Sequence, residues 1–215
     1  MPIETFLRLP KVKKNMILRN CLSEFSKKSY QDANTDDIIC ACNISKGSLY
    51  HYFGSKKQLY LYLLSHCLAS FERVNGEEIV GKDFYELLFA SIARKLRFAI
   101  TNPMETDFLA MATKEESGEV VQEKNRLLLT SMKEAEAKAQ DLVRRAMEYL
   151  PLKNSADPET VLRGLTLYIS GLRGEIMQRY HKTPGVFFVA GARIKTDLKR
   201  DLDMFLYGIC EETEK

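Results

Sequence analysis

The stretch that most constrains this chain is Asn34 to Phe53, NTDDIICACNISKGSLYHYF. Its spacing predicts two short helices joined by a tight turn. Asn34 is placed to cap the first helix, its side chain accepting a bond from a free first-turn N–H. Asp37, three residues on, extends this to a capping box and sets negative charge at the positive helix end. Ile38 and Cys42 lie four apart, on one face. Asn43 supplies the turn, because Asn tolerates the left-handed conformation in which helices end. Ile44 is the apolar plug between the helices. Ser45 caps the second helix, which carries Lys46 to Phe53 with Leu49 and Phe53 as its core pair. Ser45, Gly47 and Ser48 are small groups that let a backbone approach a groove. Gly in a helix costs about 1 kcal/mol against Ala, so Gly47 calls for a steric reason. Lys46 offers a charge to phosphate or to a guanine edge. Two helices joined this way form the helix-turn-helix motif, whose second helix enters the DNA major groove.

The run Ile44 to Leu64, ISKGSLYHYFGSKKQLYLYLL, closely resembles the end of the DNA-binding domain of the TetR family of bacterial transcriptional regulators. Ile17 to Tyr30, ILRNCLSEFSKKSY, resembles that family's first helix. The resemblance covers residues 12 to 66. It departs at Ser29 and Asn43, where the family usually has Gly, and at Cys40 and Cys42, in a helix normally rich in Ala and charge. By the family's pattern Tyr50 and His51 face the groove and Tyr52 bonds a phosphate. The alternative is a tyrosine that merely packs with its hydroxyl in water. Lys56 and Lys57 stand at a helix start, where the dipole disfavours cations; phosphate contact explains that placement, and ordinary surface lysines are the other reading. The expected DNA-facing set is therefore Asn34, Ser45, Lys46, Gly47, Ser48, Tyr50, His51, Tyr52, Lys56 and Lys57.

Charge agrees with this division. Residues 1–60 hold ten Lys/Arg against five Asp/Glu, and the remainder holds twenty-two against twenty-four. A basic end on a nearly neutral remainder suits a nucleic-acid module attached to something else. No apolar run reaches the roughly 18 residues of a membrane-spanning helix, and no signal-peptide core opens the chain. Five cysteines without a framework of spacings point to a reducing cytoplasm.

Taken in order, residues 1–9 show no period and read as a loose arm. Pro10 marks the start of a helix carrying Lys11, Lys13 and Lys14 ahead of an apolar face of Ile17, Cys21, Leu22 and Phe25. Those lysines are a solvated helix start or phosphate contacts. Tyr30 is expected to fold back as a core plug. Ser55, with Gln58 three residues on, caps a helix that runs to Asn75 and is apolar round most of its circumference. Beyond it the spacing predicts helices over 83–100, 104–113, 119–150, 157–181 and 192–210, with 182–191 as a loop and no strand.

Chemistry beyond DNA contact finds little support. Cys40 and Cys42 point about 200° apart on a helix, which is no metal pair. No nucleophile–base pair and no phosphate loop stands out, and nothing calls for a cofactor. Phe84, Phe98, Phe108, Met111, Met132, Met147 and Tyr168 are either plain core or the lining of a ligand cavity. Leu162, Leu165, Ile169, Leu172 and Ile176 along one helix, and Leu198, Leu202, Phe205 and Ile209 along another, are expected to pair with a second copy. Gly171 and Gly174 would permit the close approach.

The expected architecture is all-α: a three-helix DNA-binding domain at 10–66 and a helical ligand-binding and dimerisation domain at 67–215. The expected function is a non-enzymatic, cytoplasmic transcriptional regulator, acting as a repressor. It would bind a pseudo-palindromic double-stranded operator as a homodimer and leave it when a small apolar or aromatic ligand binds. The alternative is a protein of the same fold that binds DNA in a structural or interaction role, without an inducer.

Overall fold

The computed structural model describes residues 4–207 apart from position 181. Eleven helices follow one another among these residues, with no strand: α1 Glu4–Leu7, α2 Lys11–Phe25, α3 Thr35–Cys42, α4 Lys46–Phe53, α5 Lys56–Asn75, α6 Phe84–Thr101, α7 Pro103–Lys114, α8 Val121–Met147, α9 Pro158–Tyr180, α10 Pro184–Val189 and α11 Gly191–Leu206. None of them is long and apolar enough to cross a membrane.

Packing divides the chain into two compact units. One comprises the residues up to Arg73 with Asn102–Met132, the other Val74–Thr101 with the residues from Lys133 onward. The expected boundary between 66 and 67 falls inside α5 and divides the chain by role. The packing boundary instead follows which side chains share a core.

The first unit is built on aromatic rings. Ile17, Cys21, Leu22 and Phe25 recur at three and four residues along α2 and are all buried, as are Leu59, Tyr60, Leu63, Leu64 and Cys67 along α5. Tyr60 meets Phe25, Tyr30 and Phe108 edge-on, with centroids 5.3, 5.4 and 5.3 Å away. Phe108 belongs to α7, so a helix far along the chain completes the core of the N-terminal one. Tyr30 is the buried plug expected of it; its hydroxyl donates to Glu119 at 2.9 Å and its N–H donates to Glu115 at 2.6 Å.

The expected arm is not loose from Glu4 onward. Residues from Glu4 form α1, and the Phe6 ring is fully buried against Tyr52, Phe53 and Tyr62. Four residues show no period, but one aromatic ring provides the holding energy. Pro10 stands one place ahead of α2, as its cap residue.

The second unit gathers Phe84, Leu87, Leu88, Ile92 and Leu96 of α6 with Leu142, Val143, Ala146 and Met147 of α8 and the apolar faces of α9 and α11. The expected loop at 182–191 contains α10, opened by Pro184, whose fixed φ suits a first helical position. Phe187 of α10 is buried and stacks on Phe89. The expected helix ends His181 and Cys210, and Ile209 of the expected dimer seam, lie outside the described residues.

The residues expected at a dimer seam are largely used within the subunit. Leu162, Leu165, Ile169, Leu198 and Leu202 are buried, and Leu172, Ile176 and Phe205 are half-buried. The Phe205 ring stacks on Tyr168 and lies 3.3 Å from where a Cβ on Gly164 would stand. Gly164 is thus the residue that lets α11 approach α9, whereas Gly171 and Gly174 have nothing within 4 Å of that position.

Two outcomes test this packing. Phe6→Ala is expected to cost about 3–5 kcal/mol in urea denaturation, the range for a lost core ring; an unpacked arm would lose almost nothing. Burial holds the His66 imidazole below its ordinary value, against the opposing pull of Glu105. The unfolded chain therefore takes up the proton first, and stability is lost as pH falls below about 6.5. His66→Gln should flatten the fall in melting temperature between pH 7.5 and 5.5.

Candidate nucleic-acid interface

The helix-turn-helix is fixed by caps at each end. Asn34 Oδ1 accepts from the Asp36 N–H at 2.9 Å. The other half of the expected capping box comes from elsewhere: Glu24 of α2, not Asp37, accepts from the Asn34 N–H at 2.8 Å. Asp37 instead accepts from Lys28, which also bonds Glu24 at 2.7 Å. These hydrogen bonds, that to Glu24 foremost, raise the Lys28 ammonium above its ordinary value. The network ties the end of α2 to the start of α3. Asn20 of α2 donates to the Ala41 carbonyl at 3.2 Å and secures the other end.

Asn43 turns the chain with φ 48° and ψ 50°, the one non-glycine residue with positive φ among those described. Ile44 then packs half-buried against the core. Ser45 Oγ accepts from the Ser48 N–H at 3.0 Å and opens α4. At the far end Gly54 takes φ 77°, and a Cβ there would stand 2.1 Å from Gln58 Oε1. Ser55 accepts from the Gln58 N–H and caps α5.

Leu49 and Phe53 turn the inner side of α4 into the core. The outer side presents Ser45, Lys46, Gly47 and His51, all exposed, with Ser48 and Tyr50 half-buried at its margin. Lys46 pairs with Asp36 at 3.2 Å, both in solvent. The Tyr50 hydroxyl lies 3.3 Å from Thr35 Oγ1. Tyr52, expected at a phosphate, is 9% exposed, its ring packed near Phe6. The Lys56 amine donates to the Gln31 carbonyl at 3.2 Å and sits over the Tyr30 ring. Lys57 pairs with Glu123 of α8 at 2.6 Å, and that hydrogen bond holds the Glu123 carboxyl below its ordinary value.

Asn20, Glu24 and Thr35, which hold the motif, are not marked by its sequence. Glu115, Glu119 and Glu123 carry a weak signal, being four apart; only the fold discloses their partners.

The seven residues expected around a ligand are divided between the units. Phe108 is core of the first unit, Met111 is half-buried there and Met132 is exposed. Phe84, Phe98 and Met147 are buried in the second unit, and Tyr168 donates to the Asp201 carbonyl. A groove of about 310 Å³ between α9 and α11 is lined by Leu172, Ile176, Leu198 and charged neighbours, and by none of the seven. Among the described residues no three His, Cys, Asp or Glu are grouped to hold a metal.

Residues 17–63 match the profile described as bacterial regulatory proteins, tetR family. Over 54 residues the chain is 41% identical to the biofilm operon icaADBC HTH-type negative transcriptional regulator IcaR of Staphylococcus aureus (strain Newman), covering 25% of this chain and 29% of that protein. The protein of the same name in Staphylococcus epidermidis is 34% identical over 58 residues, 27% of this chain and 31% of its own length. The chain thus spans less than a third of the length of these relatives. Likeness in fold extends further. A TetR family transcriptional regulator from Chloroflexus aurantiacus J-10-FL superposes with TM-score 0.63 at 21% identity, over 99% of this chain and 100% of that one. A transcriptional regulator described as putative from Pseudomonas aeruginosa PAO1 gives 0.66 at 16% identity, over 95% and 96%.

The turn generates a prediction. A β-branched residue at φ 48° is strained, so Asn43→Val should cost about 1–2 kcal/mol while Asn43→Gly leaves stability unchanged or raised. Chemical denaturation of both variants reads the difference.

Proposed function

We propose, from the premise that the chain belongs to the TetR family of transcriptional regulators, that it binds a pseudo-palindromic duplex as a homodimer, represses transcription there, and leaves when a small molecule occupies its second unit. The observation that carries this is the outer side of α4. A helix capped by Ser45, with Gly47 at its first turn and Lys46 and His51 in solvent, fits a major groove. The negative sign rests on likeness to IcaR, a negative regulator by name. The family is one of DNA-binding regulators rather than enzymes, and the cytoplasm is where its duplex lies.

One such motif reads only a few base pairs, so two copies are needed for a specific site. The pairing side we favour is the outer stripe of α9 and α11. Leu167 is 70% exposed, Met204 77% and Tyr207 80%, and a Cβ at Gly171 or Gly174 would meet nothing within 4 Å. This assigns the seam to the same two helices as the sequence does, but to their other faces. The competing role, a DNA-bound protein without an effector, draws support from the filled cores around Phe84 and Phe108. A ligand-dependent rise in melting temperature decides against it.

Fluorescence anisotropy across a salt series tests the interface. Lys46→Ala should weaken all duplexes alike and reduce the log–log salt slope by about 1. Glu123→Gln should strengthen all of them, because it frees the Lys57 ammonium. Ser48→Ala or His51→Ala should change preference at one position per half-site. A Lys46→Ala protein with altered preference and an unchanged slope would contradict the assignment. Sedimentation tests the seam: Met204→Glu should give a folded monomer, whereas Leu202→Glu buries an unpaired charge inside the subunit and should unfold it.

A further inference from the structure

Lys95 of α6 and Arg173 of α9 are half-buried in the second unit, and among the described residues neither has a carboxylate within ion-pair distance. The charges that act on Lys95 are those of Arg173 and Arg94, both of its own sign. Burial, with these two cations behind it, brings the Lys95 ammonium down to about 8. Burial alone disfavours the charged form of Arg173. The neighbouring face of α9 and α11 behaves differently: Arg179 pairs with Glu175, Arg193 with Asp197 and Arg200 with Asp197.

Other polar groups share that side. Thr166, Ser170 and Arg173 recur at four and three residues on one flank of α9. Thr166 Oγ1 is buried and has no hydrogen-bond partner. Ser170 Oγ accepts from Arg173 across a long 3.4 Å. Arg94 gives Nη1 to the Glu77 carbonyl, but its Nε is buried without a partner. Buried polar groups are normally hydrogen-bonded and buried charges paired, because leaving water uncompensated is costly. An apolar side chain at 95 would pack this flank without that cost. Unpaired cations with perturbed titration cluster at sites that bind something.

We propose that the flank between α6 and α9 is a site for the oxyanion end of a small molecule, carboxylate or phosphate, anchored by Lys95 and Arg173 with the Thr166 hydroxyl as a further donor. The fork of Arg173 can bond two oxygens of such a group at once. Lys95 supplies a second charge from the facing helix. The proposal rests on the reading of the second unit as effector-binding and names the chemistry of the effector. Its apolar remainder would lie against apolar side chains of the second unit, which joins a greasy body to an anionic end.

The test is differential scanning fluorimetry and titration calorimetry of the full chain with sodium phosphate and with sodium acetate, against sodium chloride at matched ionic strength. The expected result is a rise in melting temperature with one of the two oxyanions beyond the chloride control. The responding anion identifies the head group. Lys95→Met and Arg173→Met should each weaken that anion about tenfold, one charge-assisted hydrogen bond's worth, and Lys95→Arg should retain it. Without anion, Lys95→Met should melt at or above the temperature of the unchanged protein, since it removes an unpaired charge. No response to either anion, a response in both Met variants undiminished from that of the unchanged protein, or a clear loss of anion-free stability in Lys95→Met would overturn the site. Duplex release separates the two readings. Anion binding that leaves the duplex bound retains the site and removes effector control. Release by a neutral compound, with no anion response, removes the site and keeps the control.

Discussion

The seating of α2, α5 and α7 on one another depends on one buried ring. Tyr60 lies edge-on to Phe25, Tyr30 and Phe108, which come from three separate segments. Edge-to-face pairs place the positive rim of one ring on the negative face of the next and add about 0.5–1.5 kcal/mol each beyond burial. This seats α5 against α2 and α7 together. A second aromatic group, Phe6, Phe53 and Tyr62, seats α4 on α5 from the other side. α4 is only eight residues long and could not hold its shape in water alone. Its geometry is inherited from these rings.

The same packing joins distant sequence to the motif. Phe108, Ala112 and Val120 share the core of α2 and α5. Glu115 and Glu119 hold Tyr30, and Glu123 holds Lys57. The chain passes between the two units at 73–74, 101–102 and 132–133, the last within the continuous helix α8. On the proposed reading, a change in the second unit has these three covalent paths to the head. The Lys57–Glu123 pair is exposed enough to be screened and is individually weak. On the proposed reading its consequence lies in competing with phosphate for the Lys57 ammonium rather than in stability.

What the sequence discloses and what it hides follow from range. Caps are legible because donor and acceptor are two or three residues apart: Asn34, Ser45 and Ser55 all accept bonds from nearby N–H groups. Asn43 is legible for a similar reason, since only its own backbone is involved. Leu49 and Phe53 follow from helical spacing. Phe6 was hidden because its pocket is made by Tyr52, Phe53 and Tyr62, far along the chain. Glu24 was hidden because it reaches a cap from another helix. Helical spacing locates the apolar faces of α9 and α11 but not what covers them; Leu198 and Leu202 turn out to be covered by their own subunit. Gly164 and the two open glycines look alike in sequence, and only Phe205 tells them apart. Nothing local marks Lys95 and Arg173 in the sequence; their shared side is set by the packing of the helices that carry them.

The central claim is that α4 of each of two copies reads one half of a two-fold site. Selection of binding sequences from a random duplex pool by the full-length protein tests it most directly. The account predicts enrichment of two inverted half-sites at one fixed spacing, lost in Met204→Glu. Enrichment of a single half-site, or none at all above bulk duplex, would contradict it.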